Sequence, residues 1–169
     1  MNQRGLRLRP ATAADAPLLR RWDDTPHILA ADPHSDWQWE TALTTRVPGR
    51  ESFIAEVDGL PIGFLEILDP SQDPERYWGD APEGIRAIDI WIGEPSYLGR
   101  GFGTEMMQQA LEHCFADPCV TAIVVDPLAD NTRAHRFYER LGFCVTERRA
   151  FGPDDCLVLR LERRDWLHW

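Results

Sequence analysis

Tyr97-Leu98-Gly99-Arg100-Gly101-Phe102-Gly103-Thr104 stands between a β-rich run, Ile85–Ile92, and a segment in which Met106/Met107, Ala110/Leu111 and Cys114 recur at i, i+4 and i+7–8. The run predicts a strand and the recurrence an amphipathic helix over Gly103–Phe115. Glycines between a strand and a helix let the backbone approach a ligand closely and turn several N–H groups inward. The helix start adds the positive end of its dipole and its unpaired N–H groups, which makes an anion site suited to a pyrophosphate. Arg100 can add a charge-assisted contact. Taken alone, the same stretch also reads as a glycine-rich turn with no ligand. It is not a Walker loop, because no G-K-[ST] follows, and the last glycine of G-x-G-x-x-G is replaced by Thr104.

Outward from this centre, Leu6–Arg9 alternates and reads as an edge strand ending at Pro10. Thr12 can cap a helix running through Leu18, Leu19 and Trp22. Asp23–Asp36 reads as irregular, and a second helix covers Trp37–Thr45. Ser52–Val57 and Ile62–Leu68 flank Asp58-Gly59, a hairpin signal. Asp69–Gly84 is a Pro- and acid-rich loop carrying Tyr77 and Trp78. Beyond the central helix come a short buried strand, Val120–Val125, and a helix over Asn131–Leu141 closed by Gly142. Phe143–Arg149 and Leu157–Leu161 form a closing strand pair. The order β-α-α-β-β-β-α-β-α-β-β implies an α/β (α+β) domain with a mixed, mostly antiparallel central sheet flanked by helices.

The chain has 169 residues and fits a single domain over 1–169. Its composition, 43% hydrophobic and 27% charged, is that of a globular protein. No apolar run approaches the ~18–20 residues of a membrane span. Met1–Pro10, interrupted by Arg4, Arg7 and Arg9, has no apolar signal core, so the expectation is a cytoplasmic, unprocessed chain without a membrane partner. Net charge is −10. Such a surface repels nucleic-acid backbones and attracts amines and polycations, although acidity also serves solubility alone. All 18 basic side chains are Arg, which excludes Schiff-base and P-loop lysine chemistry. Cys114, Cys119, Cys144 and Cys156 form no C-x-x-C, and the histidines form no H-E-x-x-H, so neither zinc nor a disulfide is expected. The cysteines read as small buried hydrophobes.

A second marker follows the loop after one strand: Asn131-Thr132-Arg133-Ala134-His135-Arg136-Phe137-Tyr138-Glu139-Arg140-Leu141-Gly142-Phe143. Ala134 and Phe137 share a helical face, and Asn131 suits the cap. This segment resembles N-x-x-A-x-x-x-Y-x-x-x-G-F of the GNAT acetyltransferases, and Leu98–Gly103 resembles their coenzyme A loop, Q/R-x-x-G-x-G/A. Leu98 departs from the usual Gln or Arg. The resemblance implies acetyl-CoA as co-substrate, without a metal. It places Leu98, Gly99, Arg100, Gly101, Phe102, Gly103 and Thr104 at the pyrophosphate, and Asn131, Ala134 and Phe137 along the pantetheine arm. The backbone of Ile90, Trp91 and Ile92 also falls to the coenzyme and to the oxyanion.

From Tyr77 to Phe143 the chain is similar in particular to the aminoglycoside 6′-N-acetyltransferases. That similarity implies Asp89 at the reacting amine, Asp126 on amino groups of the acceptor, Asp154 among the substrate-binding residues, and Tyr77 and Trp78 as a wall. Tyr138 would protonate the leaving thiolate, so Asp89 and Tyr138 are the catalytic pair. Other readings of these residues stay open. Asp89 can be a solvent-facing strand residue, Asp126 a turn starter before Pro127, and Tyr138 a core aromatic. Tyr77 and Trp78 can simply cover the sheet edge. The stretch near His27-Ile28 lacks the tryptophan pair of several drug-modifying relatives, and Trp37 and Trp39 are the nearest indoles. The expected partner is a small cationic amine, with the chain a monomer or homodimer and Trp166 and Trp169 packed on the body or on a second subunit. The alternatives are acylation of hydroxylamines in siderophore synthesis, acetylation of peptide N-termini, and an acetyl-CoA-binding sensor without turnover.

Overall fold

The computed structural model describes residues 5–167; Arg4 and Trp169 fall outside them. Leu6–Pro10 (β1), Arg50–Val57 (β2), Leu60–Leu68 (β3), Ile85–Ile92 (β4), Ala122–Val125 (β5), Cys144–Phe151 (β6) and Asp154–Glu162 (β7) are the strands. They form one seven-stranded sheet in the order β1-β2-β3-β4-β5-β7-β6. All neighbours are antiparallel except β4 and β5. The helices are Ala16–Asp23 (α1), Pro26–Ala31 (α2), Trp39–Thr44 (α3), Phe102–Phe115 (α4), Thr132–Arg140 (α5) and Arg163–Trp166 (α6). The mixed, mostly antiparallel sheet flanked by helices is the one the sequence reading expects.

The parallel pair needs a crossover, which α4 supplies. It is also short. Ile85, Arg86 and Ala87 face Ala122, Ile123 and Val124, after which β4 runs on to Ile92 against β3 alone. The sheet therefore forks between β4 and β5. Period-2 alternation sorts the side chains around this fork. On one face Leu65, Ile67, Ile88 and Ile92 pack under α4 and α5 with Met106, Met107, Leu111 and Tyr138. On the other, Ile54 and Phe64 meet Leu19, Trp22 and Trp39. Farther along that second face, Leu68, Ala87 and Val124 meet Phe151 and Val158. Between these two apolar clusters the register sets Glu66 opposite Asp89.

Several boundaries differ from the sequence reading. Asp23–Asp36 is not wholly irregular: α2 occupies Pro26–Ala31 with an extended Thr25 before it and Pro at its first turn, a position where the missing N–H costs nothing. Thr12 caps a short 3₁₀ turn, Ala13–Asp15, which leads into α1. The next helix starts at Trp39 rather than Trp37, because Gln38 takes a left-handed conformation. The closing hairpin extends over Cys144–Phe151 and Asp154–Glu162. Cys114 and Cys156 are buried as expected, but Cys119 and Cys144 are exposed. Cys119 lies in the turn after α4, and Cys144 opens a strand whose side chains are largely solvated. No helix among the described residues is long and apolar enough to cross a membrane.

Candidate active site

The fork gathers the polar residues. The register offset of the parallel pair, continued past Ala87, sets Asp89 across from Asp126. Asp89 reaches solvent yet has protein around it on all sides, as a residue on the floor of an open cleft does. Removal from bulk water pushes its carboxyl well above the ordinary carboxylate range, and Asp126, Glu66 and Asp32 push the same way against Arg50. Asp126 is pushed up to about 6, chiefly by burial, with Asp32 and Asp154 adding to it. A phenol holds that carboxylate in place: Tyr77 Oη donates to Asp126 Oδ2 at 2.6 Å. Tyr77 in turn stacks on Phe151, ring centroids 4.6 Å apart, and Trp78 meets the same ring edge-on. The aromatic pair is thus fixed by the β6–β7 turn and lines the cleft beside Asp126.

Glu66 was not singled out from the sequence. It is 6% exposed, accepts from Ser52 Oγ at 3.1 Å, and has Arg50 Nε at 3.6 Å. Burial raises its pKa and Arg50 opposes the rise. Asp32 and Asp23 were missed too. Asp32 accepts from Trp37 Nε1 at 3.1 Å and Asp23 from Trp39 Nε1 at 2.6 Å. Trp37 and Trp39 stack face to face at 5.0 Å, and Trp91 stands against Trp37 at 5.4 Å. Trp37, just before α3, thus joins Trp39 of α3 and Trp91 of β4 in an indole cluster around Phe64. Asp154 opens β7 and accepts from His34 Nδ1 at 2.6 Å. A pattern search could not find Glu66 or Asp32, because what assembles them is strand register and an irregular turn.

The coenzyme motif lies at the same fork. In an antiparallel strand the N–H and C=O of one residue point to one side. Gly93 N–H bonds Ile62 O toward β3, so Ile90 and Ile92 direct their backbone groups into the fork. His27 Nε2 donates to Ile92 O at 2.7 Å, which leaves Ile90 as the open position. Trp91 points its backbone toward β3, so its N–H is not available there, contrary to the expectation for that residue. Gly99 (φ 67°) and Gly101 (φ 86°) hold left-handed conformations, and Gly101 is the N-cap of α4. The helix then starts with Phe102, Gly103 and Thr104, so the positive end of its dipole opens at this loop. A Cβ on Gly103 would stand 3.6 Å from the Phe137 ring, so the loop and α5 are in contact. Asn131 accepts from Ala134 N–H at 3.2 Å, the cap expected of it. Leu98, in place of Gln or Arg, packs on the core. Arg100 lies over the rings of Tyr97 and Phe102 at 5.0 and 5.3 Å. Tyr138 is buried between Phe137 and Phe143, and burial, then Asp89 and Asp126, drive its phenol upward, so it stays protonated near neutrality.

An anion cradle on one side of a forked sheet and a carboxylate-lined cleft on the other suit transfer of an activated acyl group to an amine. Residues 11–151 match the acetyltransferase (GNAT) domain family. The aminoglycoside N(6′)-acetyltransferase type 1 of Klebsiella pneumoniae is 31% identical over 171 residues, 93% of this chain and 82% of that one. A lysine N-acyltransferase of Mycobacterium tuberculosis is 30% identical over 141 residues, covering 80% and 67%. The crystal structure of aminoglycoside acetyltransferase AAC(6′)-Ib with coenzyme A and kanamycin superposes with a TM-score of 0.84 at 26% identity, covering 96% and 98%. With the forked sheet, the glycine cradle and these matches in agreement, the chain belongs to the GNAT acetyltransferases.

Proposed function

We propose that this acetyltransferase transfers acetyl from acetyl-CoA to the 6′-amino group of an aminoglycoside, by direct attack in a ternary complex. The observation that carries this reading is the meeting of Asp89, Asp126 and the protonated Tyr138 at the β4–β5 fork. Acetyl-CoA supplies the activated thioester. The positive-φ glycines and the positive dipole end at the start of α4 suit its pyrophosphate. The amine nitrogen attacks the thioester carbon, and Asp89 takes its proton, directly or through water. Ile90 N–H faces the fork, where the oxyanion would develop. As the carbon–sulfur bond breaks, Tyr138 gives its proton to the departing thiolate. Asp126 and Asp154 hold ammonium groups of the acceptor elsewhere on its rings, with Tyr77 and Trp78 as the wall. The whole chain, 1–169, is read as one domain working in the cytoplasm as a monomer or homodimer, without a metal.

Free-thiol release from acetyl-CoA against a panel of acceptors tests the reading. Kanamycin and ribostamycin should be turned over well, and a hydroxylamine and a peptide poorly. The similarity to a lysine N-acyltransferase makes the reverse ranking informative: preference for the hydroxylamine or the peptide would overturn the aminoglycoside assignment. Coenzyme binding without thiol release against any acceptor would return the chain to a sensor.

A further inference from the structure

We propose that the His34 imidazole is a resident hydrogen-bond donor on Asp154 in the acceptor cleft, one that an incoming ammonium group must displace. The inference rests on the aminoglycoside reading, and on Asp154 as one of its ammonium sites. His34 sits at the tip of the turn between α2 and α3, and Asp154 at the start of β7, so their contact bridges two elements on opposite sides of the cleft. His34 Nδ1 lies 2.6 Å from Asp154 Oδ1, the place where an acceptor nitrogen would bind. The turn is built to hold the imidazole there. Ser35 Oγ and Trp37 Nε1 both donate to Asp32, which closes the turn around His34. Trp37 is stacked on Trp39, itself anchored to Asp23. Farther back, His27 ties α2 to Ile92 O at the fork.

Carboxylates crowd around His34. Asp154 is its direct partner, Asp32 and Asp36 share its turn, and Asp126 feels both Asp154 and Asp32. Such a cleft holds carboxylates at mutual cost, and a hydrogen-bond donor on Asp154 offsets part of what that carboxylate loses in solvation. His34 itself is half-exposed, so an ammonium group on a flexible amine can replace it without opening the core. The consequence is a filter. An acceptor with an ammonium at the right distance from the reacting amine regains Asp154, whereas one without it must leave the histidine in place. His34 therefore sets specificity rather than chemistry.

Calorimetric titration of kanamycin into the coenzyme A complex of four proteins tests this: unsubstituted, His34→Ala, Asp154→Asn and the double variant, each checked for an unchanged thermal midpoint. His34→Ala should tighten kanamycin binding about two- to five-fold, the scale of one exposed hydrogen bond. Asp154→Asn should weaken it, and adding His34→Ala to that background should change nothing further. Weaker or unchanged binding in His34→Ala, with Asp154→Asn still weakened, would overturn the role given to His34 alone. Full affinity in Asp154→Asn would instead remove the ammonium site beneath it. Absence of kanamycin binding to the unsubstituted protein would overturn the aminoglycoside reading and the filter with it.

Discussion

Asp126 is hydrogen-bonded by a tyrosine and surrounded by other carboxylates, and the two facts act in opposite directions on its charge. Burial and repulsion win, so the folded pKa, about 6, lies above the ordinary 3.8. A carboxyl raised on folding contributes stability that is complete below the unfolded pKa and is lost as pH rises through the folded one. Asp126→Asn should therefore be more stable than the unsubstituted protein at pH 8, by about 1–3 kcal/mol, and equal to it near pH 4. Denaturant melts at the two pH values check this, and equal stabilities at pH 8 would show the carboxylate to be well accommodated. The same substitution removes a partner that serves ground and transition states alike, so KM for an aminoglycoside should rise with kcat less affected. The effect should shrink as salt screens the attraction. Tyr138→Phe should act on kcat, lowering it within ~10²–10⁴-fold where chemistry is rate-limiting. An unchanged kcat would leave Tyr138 as a core aromatic between Phe137 and Phe143.

At the scale of elements, two glycines do different work. Gly101 holds φ 86° at the N-cap of α4, which a side chain adopts only under strain. Gly101→Ala should cost about 1 kcal/mol of stability and, by turning the first N–H groups of α4, weaken acetyl-CoA binding by more than that loss explains. Coenzyme affinity equal to that of the unsubstituted protein would remove the pyrophosphate from this loop. Gly93 instead makes room: a Cβ there would stand 2.0 Å from Trp22 Cδ2. Gly93→Ala should push α1 off the sheet and destabilise by about 1–3 kcal/mol, read as a lowered thermal midpoint. The central loop and the two flanking helices were legible in the sequence because each rests on local chemistry: glycines at the turn, a stripe of Met106, Met107 and Leu111, an Asn131 cap. The α2 helix was not, since its short Pro26–Ala31 span carries too little periodicity to stand out from the prolines around it. Glu66 escaped for a different reason. Within Leu65-Glu66-Ile67 it looks like a solvated strand position, and only the pairing with Ser52 and Asp89 turns it inward.

For the molecule as a whole, with its net charge of −10, the carboxylates fall into two kinds. Asp15 and Glu56 are held below the ordinary carboxylate range by hydrogen bonds from Arg9, so their contribution to stability is present above the unfolded pKa and lost in acid. Asp89, Glu66 and Asp126 are raised, and their contribution has the opposite sign. The acidic cleft is thus destabilising at neutral pH until a cation fills it, and in the proposed function that cation is the acetyl acceptor. The resemblance to the aminoglycoside 6′-N-acetyltransferases named Asp89, Asp126, Asp154, Tyr77, Trp78 and Tyr138; of these the structure sets Asp89 across from Asp126 and bonds Tyr77 to Asp126. The carboxylates that surround them come from register and turns that no motif encodes. The central claim is that Asp89 takes the proton from the attacking amine at the β4–β5 fork. Its most direct test is the single-turnover rate of kanamycin acetylation across pH, with acetyl-CoA saturating, in the unsubstituted protein and in Asp89→Asn. The account predicts a rate ~10²–10⁴-fold lower in Asp89→Asn, with the acid limb due to Asp89 abolished. An undiminished rate with the same acid limb would contradict it.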